Sequence, residues 1–183
     1  MNVTPLTPLN QQHPILAFGD SLTFGYGAPP EQSYPFLLSH LINQQIINAG
    51  INGELSKDGL LRLELLLDKH APQLLLLCHG ANDILQNACR TTMMNNIDNM
   101  VKMAHKRGID VVLIAVPDVN DQLSNVVEYQ QIATQNNILL ADNLLAELLK
   151  QPALHSDIIH PNNLGYGFIA ESIATLLKAN GAL

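Results

Sequence analysis

Short apolar runs alternate with longer segments of mixed polarity along the chain. The run Leu74–Cys78 is apolar throughout, which is typical of a parallel strand covered by helices on both faces. Four other segments have a similar length and strong apolar content, although the second is less uniform. The pattern therefore predicts strands over residues 15–18, 45–49, 74–78, 111–116 and 138–141.

The segments between these strands carry apolar residues at helical spacing. Ser33 is a candidate cap for the first helix, with Pro35 tolerated in its first turn, and Ser56 is a candidate cap for the second, which ends before Pro72. Loops are predicted at 25–30 and 151–162. The remaining helices are predicted at 91–107, 126–135, 143–150 and 163–179.

The order of these elements predicts the fold class. Strands and helices alternate about five times, which favours a three-layer α/β sandwich with a five-stranded parallel sheet. We expect the flavodoxin-like order 2-1-3-4-5, in which strands one and three meet at a switch point and residues that follow them face one crevice. Residues 1–183 are interpreted as one domain, with 1–13 as a surface lead-in.

Composition narrows the class of protein. The 183 residues are 47% hydrophobic and 14% charged, and the net charge of −7 argues against nucleic acid as the main partner. No apolar run approaches the length of a membrane span. The N-terminus is not a secretory signal as it stands, so we expect a cytoplasmic protein, or a periplasmic or secreted one if a leader was removed. Two cysteines make no disulfide framework, and Cys78 is expected to be buried.

Ser21 is the first candidate for chemistry. It follows Gly19-Asp20 where the first strand ends, and open α/β sheets bind ligands at that edge. A serine hydroxyl alone is a poor nucleophile, because it needs a base, a group that orients the base, and donors for the oxyanion. The question is whether later residues supply those parts.

Four sequence blocks lie at predicted strand ends or in a late loop. The blocks are Gly19-Asp20-Ser21-Leu22, Gly53, Gly80-Ala81-Asn82-Asp83 and Asp157-Ile158-Ile159-His160-Pro161. In type, order and spacing they resemble the SGNH branch of the GDSL hydrolases, especially the small bacterial thioesterase I, lysophospholipase and arylesterase group. The likeness runs from the first strand to the last helix.

The resemblance implies a role for each matching residue. Ser21 would be the nucleophile, His160 its general base, and Asp157 the group that orients the imidazole. The backbone N–H groups of Ser21 and Gly53 and the side-chain amide of Asn82 would form the oxyanion hole. The implied activity is hydrolysis of carboxylic esters or thioesters through an acyl-enzyme, and it requires no metal or organic cofactor.

The glycine donor has a competitor nearby. Gly53 matches the second glycine of the family block, here Asn48-Ala49-Gly50-Ile51-Asn52-Gly53, and Gly50 is the alternative. The family often follows this glycine with Asp-Thr, whereas this chain has Glu54-Leu55. The departure affects neighbouring polar contacts but does not remove the backbone N–H donor.

Two other functions remain open from the residues alone. A metal-dependent phosphohydrolase could use Asp20, Asp83, Asp157 and His160 around Mg²⁺. The other is a non-enzymatic, flavodoxin-like binding module, although no lysine follows the glycines around Ser21 as it does in a phosphate loop. Among the other histidines, two lie near site blocks and could line the crevice, His79 and His155.

The sequence does not choose the substrate. Members of the family act on acyl esters, thioesters, lysophospholipids, aryl esters and acetylated sugars. Three arginines occur, Arg62, Arg90 and Arg107, and none lies near a site block in the sequence, which favours short to medium neutral acyl groups over anionic substrates. Oligomeric state is not predicted. Five apolar residues are candidates for an acyl pocket or for ordinary core: Leu22, Phe24, Tyr26, Ile84 and Leu85.

Overall fold

A computed structural model describes residues 5–183, and their central feature is a five-stranded parallel sheet flanked by helices. The strand order is β2-β1-β3-β4-β5, so the predicted fold and order are confirmed. Residues 1–4 of the predicted lead-in lie outside the described part. The strands are β1 Ile15–Gly19, β2 Ile46–Gly50, β3 Leu74–Cys78, β4 Asp110–Ile114 and β5 Leu139–Ala141.

The helices connect the strands and cover the sheet. Helix α2 packs against α8, and α3 packs against α5. Two short helices, α1 and α4, were not predicted, because four or five residues are too few to show helical periodicity. None of the described helices is long and apolar enough to cross a bilayer. The helices are α1 Ser21–Phe24, α2 Tyr34–Leu41, α3 Ser56–His70, α4 Ala81–Leu85, α5 Arg90–His105, α6 Val127–Asn136, α7 Leu144–Leu149 and α8 Asn163–Ala179.

The centre of the sheet brings three strand ends level with one another. Gly19 at the end of β1 pairs in register with Gly50 on one side and Cys78 on the other. All five residues of β1 and of β3 are buried. A Cβ at Gly19 would lie 1.9 Å from the Cys78 carbonyl oxygen, so only glycine allows this close approach. The segments that leave β1, β2 and β3 therefore start side by side.

The helices bury only part of their apolar residues. In α3, Leu63 and Leu67 are buried, but Leu61 and Leu65 are 78% and 72% exposed. Leu164 in α8 is also exposed. A helix on an outer layer buries a single stripe of residues three or four apart, so leucine content alone does not identify the covered face.

Neither of the two serines predicted as helix caps makes the hydrogen bond expected of a cap. Ser33 occupies the N-cap of α2, but its hydroxyl donates to the Pro30 carbonyl, at 2.8 Å, rather than to the helix. Ser56 is the first residue of α3, and Asp83 accepts from its N–H at 2.8 Å and from its hydroxyl at 2.7 Å. The beginning of α3 is thus fixed by a carboxylate from the segment that follows β3.

The lead-in before β1 is more than a surface segment. Leu6 is buried in the core, and its N–H donates to the Asn180 carbonyl beyond α8, at 3.0 Å. The Leu9 N–H donates to the Ala182 carbonyl at 2.9 Å. The segment therefore packs against the C-terminal end of the chain.

The link between Asp83 and Ser56 makes a stability prediction. Replacing Asp83 by Ala leaves the buried Ser56 N–H and hydroxyl without this acceptor, so we expect the free energy of unfolding to fall by about 1–3 kcal/mol. Urea unfolding followed by circular dichroism measures the change. The control is Glu147→Ala on an exposed position of α7, with an expected change within about 0.5 kcal/mol. Equal stability of the two variants would contradict the role of Asp83.

Candidate active site

Ser21 lies at the turn from β1 into α1. Asp20 caps this helix, with its Oδ1 accepting from the Leu22 N–H at 3.1 Å, and the Ser21 side chain emerges at the next position. Ser21 is 8% exposed. Its N–H belongs to the first turn of the helix, where no intrahelical partner exists, and no other described group accepts from it. The serine therefore presents both a hydroxyl and a free N–H.

Three side chains form a continuous hydrogen-bonded line. The Ser21 Oγ lies 3.0 Å from His160 Nε2, and His160 Nδ1 lies 2.8 Å from Asp157 Oδ2. A carboxylate only accepts hydrogen bonds, so Nδ1 carries the proton in this contact and the neutral ring leaves Nε2 to accept from the serine. The arrangement can move a proton from the hydroxyl to the imidazole.

Asp157 is held by its own loop. Its Oδ1 accepts from the N–H groups of Ile159, at 2.9 Å, and His160, at 2.8 Å, which leaves Oδ2 for the ring. Partial desolvation opposes ionisation, but these hydrogen bonds lower the pKa of the Asp157 carboxyl below its ordinary 3.8. Ionised Asp157 therefore adds stability above that pH, and the contribution is lost as the pH falls through the lower folded value.

The loop that carries His160 is fixed on both sides. His155 pairs with Pro161 in an antiparallel bridge, so His155 belongs to the base of this loop. The Tyr26 ring packs on the His160 ring with a centroid distance of 4.5 Å, and the Tyr26 carbonyl accepts from the Tyr166 hydroxyl at 2.7 Å. Tyr26, predicted as a candidate for the acyl pocket, contacts the imidazole instead.

Asn82 lies in the first turn of α4, after β3. Its Nδ2 donates one hydrogen bond to the Glu54 carbonyl at 3.1 Å. An amide nitrogen has two donor hydrogens, so the second remains available. Asn82 and Ser21 line the same cleft, as the predicted strand order requires.

The loop after β2 separates the two candidate glycines. The Glu54 N–H donates to the Ile51 carbonyl at 3.3 Å, and Gly53 has φ +75°, which fits the third position of a type II turn. Within the described residues, the Gly53 N–H has no hydrogen-bond partner. The Gly50 N–H already donates to Asn48 Oδ1 at 3.0 Å. Of the two candidate glycines, Gly53 is thus the one with an uncommitted N–H.

A narrow apolar cleft opens beside Ser21 and encloses about 390 Å³ of empty space including its mouth. Of the five predicted pocket residues, Leu22 and Leu85 line it, whereas Ile84 is buried in the core and Phe24 is half exposed. The sequence analysis did not predict the lining residues that the later loops and α7 contribute, because no motif marks them. The apolar lining includes Leu22, Leu85, Val116, Val119, Leu145 and Leu149.

Buried polar groups lie behind the cleft. Asp20 is fully buried and its Oδ2 has no hydrogen-bond partner. Burial raises the pKa of its carboxyl, against the lowering effect of His79 and of backbone N–H groups. His79 is fully buried beside Glu54 and does not line the crevice. Arg62, expected to lie away from the site, donates to the carbonyl of Gly19 at 3.2 Å.

The ligand set of the phosphohydrolase hypothesis is not assembled. Both carboxylate oxygens of Asp83 accept from Ser56, and Asp157 binds His160. In residues 5–183, no three His, Cys, Asp or Glu side chains are grouped so that they could hold a metal ion.

Comparison with known proteins identifies the family. The model of the GDSL-like lipase/acylhydrolase family matches residues 17–168. An arylesterase from Vibrio mimicus is 31% identical over 87% of this chain and 86% of its own. Thioesterase 1/protease 1/lysophospholipase L1 from Escherichia coli K12 is 30% identical over 90% and 83%. The crystal structure of the psychrotrophic esterase EstA from Pseudoalteromonas sp., inhibited by monoethylphosphonate, superposes with a TM-score of 0.81 at 26% identity, covering 92% of this chain and 98% of EstA. The chain belongs to the GDSL-like lipase/acylhydrolase family, and it is a hydrolase of ester bonds.

Proposed function

We propose that this protein is a serine esterase that hydrolyses carboxylic esters or thioesters through an acyl-enzyme on Ser21. One observation carries the proposal: the Ser21 Oγ lies 3.0 Å from His160 Nε2, whose Nδ1 lies 2.8 Å from Asp157 Oδ2, at the mouth of an apolar cleft. The same three residue types in this contact order activate serine on unrelated folds.

The contacts define the order of proton transfers. Ser21 Oγ attacks the acyl carbonyl carbon while His160 Nε2 takes its proton, and the imidazolium is stabilised by Asp157. His160 then returns the proton to the leaving alcohol or thiol as the ester bond breaks. In the second half, His160 takes a proton from water, the hydroxide oxygen attacks the acyl-enzyme, and the proton goes back to Ser21 as the acid leaves.

Three donors are proposed to bind the oxyanion of each tetrahedral intermediate. The N–H groups of Ser21 and Gly53 have no partner among the described residues, and Asn82 has one amide hydrogen left. Donors fixed by the fold before charge develops stabilise the transition state without reorganisation, and one such donor typically contributes about 3 kcal/mol.

The cleft favours a neutral acyl group of short to medium length. Its lining is predominantly apolar, and it is bounded at α7 by Leu145 and Leu149. The similar proteins are named an arylesterase, a thioesterase and lysophospholipase, and an esterase, so the names span esters and thioesters. A small acyl ester or thioester is the proposed substrate class.

The nucleophile is tested with p-nitrophenyl esters from acetyl to dodecanoyl. We expect Ser21→Ala to lose at least about 10³-fold in kcat, because no other group supplies the attacking oxygen. The control is Ser39→Ala, whose hydroxyl donates to the Phe36 carbonyl within α2, and it should retain wild-type rates. Equal turnover by Ser21→Ala and wild type would refute the assignment.

Asp157 is tested by its amide isostere. In Asp157→Asn, the remaining oxygen can still accept from the two backbone N–H groups, but an NH₂ faces His160 Nδ1 and favours the tautomer that cannot accept from Ser21. We expect kcat to fall about 10³- to 10⁴-fold while the variant still folds. A kcat within a factor of about three of wild type would show that Asp157 does not set the tautomer.

The acyl cleft is tested by shortening its wall. Leu149→Ala removes three carbons from the part of the lining that α7 contributes, so the optimum of kcat/KM should move toward longer acyl chains, with each added methylene worth roughly 1 kcal/mol. Leu144→Ala on the same helix is the control, since Leu144 does not line the cleft. An unchanged optimum in Leu149→Ala, or the same shift in both variants, would show that this cleft does not bind the acyl chain.

A further inference from the structure

A compact polar cluster lies behind the ends of β1, β2 and β3. We call it the Glu54 cluster, and it consists of Glu54, Arg62 and His79. Arg62 Nε lies 2.5 Å from Glu54 Oε1 and its Nη2 lies 2.6 Å from Oε2, while His79 Nε2 lies 3.1 Å from Oε2. Glu54 and His79 are buried. None of the three lines the cleft, so the cluster acts through other groups.

Arg62 ties the cluster to two strand ends. Its Nη2 donates to the Gly19 carbonyl at 3.2 Å and to the Ala49 carbonyl at 2.8 Å, and its guanidinium carbon lies 4.0 Å from the centroid of the Phe18 ring. Gly19 precedes Ser21 by two residues. A planar guanidinium can bridge several acceptors at fixed angles, which a lysine ammonium does not do. Arg62 thus fixes the exits of β1 and β2 relative to each other.

His79 ties the cluster to the third strand end. The Gly80 N–H donates to His79 Nδ1 at 3.1 Å, so Nδ1 is an acceptor and the proton of the neutral ring lies on Nε2, facing Glu54. The His79 carbonyl accepts from the Tyr129 hydroxyl at 2.6 Å. A Cβ at Gly59 would lie 2.4 Å from His79 Nε2, so α3 leaves space for this ring.

Glu54 connects these contacts to the segments that carry the proposed oxyanion donors. It directly follows Gly53, and its own N–H closes the turn that contains Gly53. Its carbonyl accepts from Asn82 Nδ2. Glu54 therefore contacts the segments of Gly53 and Asn82 directly, and it reaches the segment of Ser21 through Arg62, whose guanidinium pairs with the Glu54 carboxylate.

We propose that Glu54, Arg62 and His79 are positioning residues that hold the Ser21, Gly53 and Asn82 donors at the distances the oxyanion requires. This inference rests on the proposed esterase function. The lowered pKa of Glu54 agrees with it: desolvation raises this pKa, but His79 and Arg62 outweigh it and keep the carboxylate ionised. Misplacing preorganised donors affects the transition state more than the bound substrate.

The test compares Glu54→Gln and Arg62→Lys with wild type on a p-nitrophenyl ester. Glu54→Gln keeps the side-chain shape but loses the charge. Arg62→Lys keeps the charge but has a single nitrogen, so it loses the two-point contact with the Glu54 carboxylate. We expect kcat to fall about 10- to 100-fold in both, with KM within about twofold and the pH dependence of kcat unchanged, because His160 and Asp157 are untouched.

The control is Asp68→Asn, which breaks an ion pair between Arg107 and an exposed carboxylate on α3 and should keep wild-type kcat. A kcat within twofold of wild type in folded variants, or a loss carried by KM or by a shifted pH profile, would overturn the inference. Loss of folding in both variants would assign the cluster to stability and would also overturn it. Ser21→Ala, measured alongside with the cluster intact, reports separately on the proposed function.

Discussion

The hydrogen bond between Ser21 Oγ and His160 Nε2 is the contact on which the proposed chemistry depends. Its partners are 139 positions apart in the sequence, so it exists only when the whole sheet is assembled. Ser21 follows the end of β1, and His160 lies in the loop that leads into α8. Within this loop, the Asp157 carboxylate accepts hydrogen bonds from two backbone N–H groups, which restrain the loop conformation. Folding therefore determines the distance between nucleophile and base.

The parallel sheet explains why the donors lie beside that bond. Three adjacent strands end level with one another, and each is followed by a segment with an uncommitted donor: the Ser21 N–H, the Gly53 N–H and one Asn82 hydrogen. Arg62 donates to two carbonyls near the strand ends, those of Gly19 and Ala49, and the Gly19 carbonyl also accepts from the Ile51 N–H. These contacts satisfy buried carbonyl acceptors, and we propose that the same contacts orient the oxyanion donors.

The sequence predicted the sheet well and its surroundings less well. Strands were readable because a strand buried on both faces must be apolar at every position, as in Leu74–Cys78. The residues now proposed for catalysis were identified because the blocks of Ser21, Gly53 and Asn82 follow strands and the block of Asp157 and His160 lies in a late loop, in an order that resembles one family. Leu61 and Leu65 show that the buried face of a helix cannot be predicted from residue type alone, because both are leucines and both are exposed. Arg62 was placed away from the site blocks because its contacts with Gly19 and Ala49 arise only when α3 packs on the ends of β1 and β2.

The most direct test of the central claim is to trap the reacting oxygen. Wild type and His160→Ala are incubated with a p-nitrophenyl alkylphosphonate, and the modified peptide is located by mass spectrometry. The account predicts one phosphonyl group per chain, on Ser21, formed much more slowly without the His160 imidazole. A phosphonyl group on another residue, or the same labelling rate in His160→Ala, would contradict it.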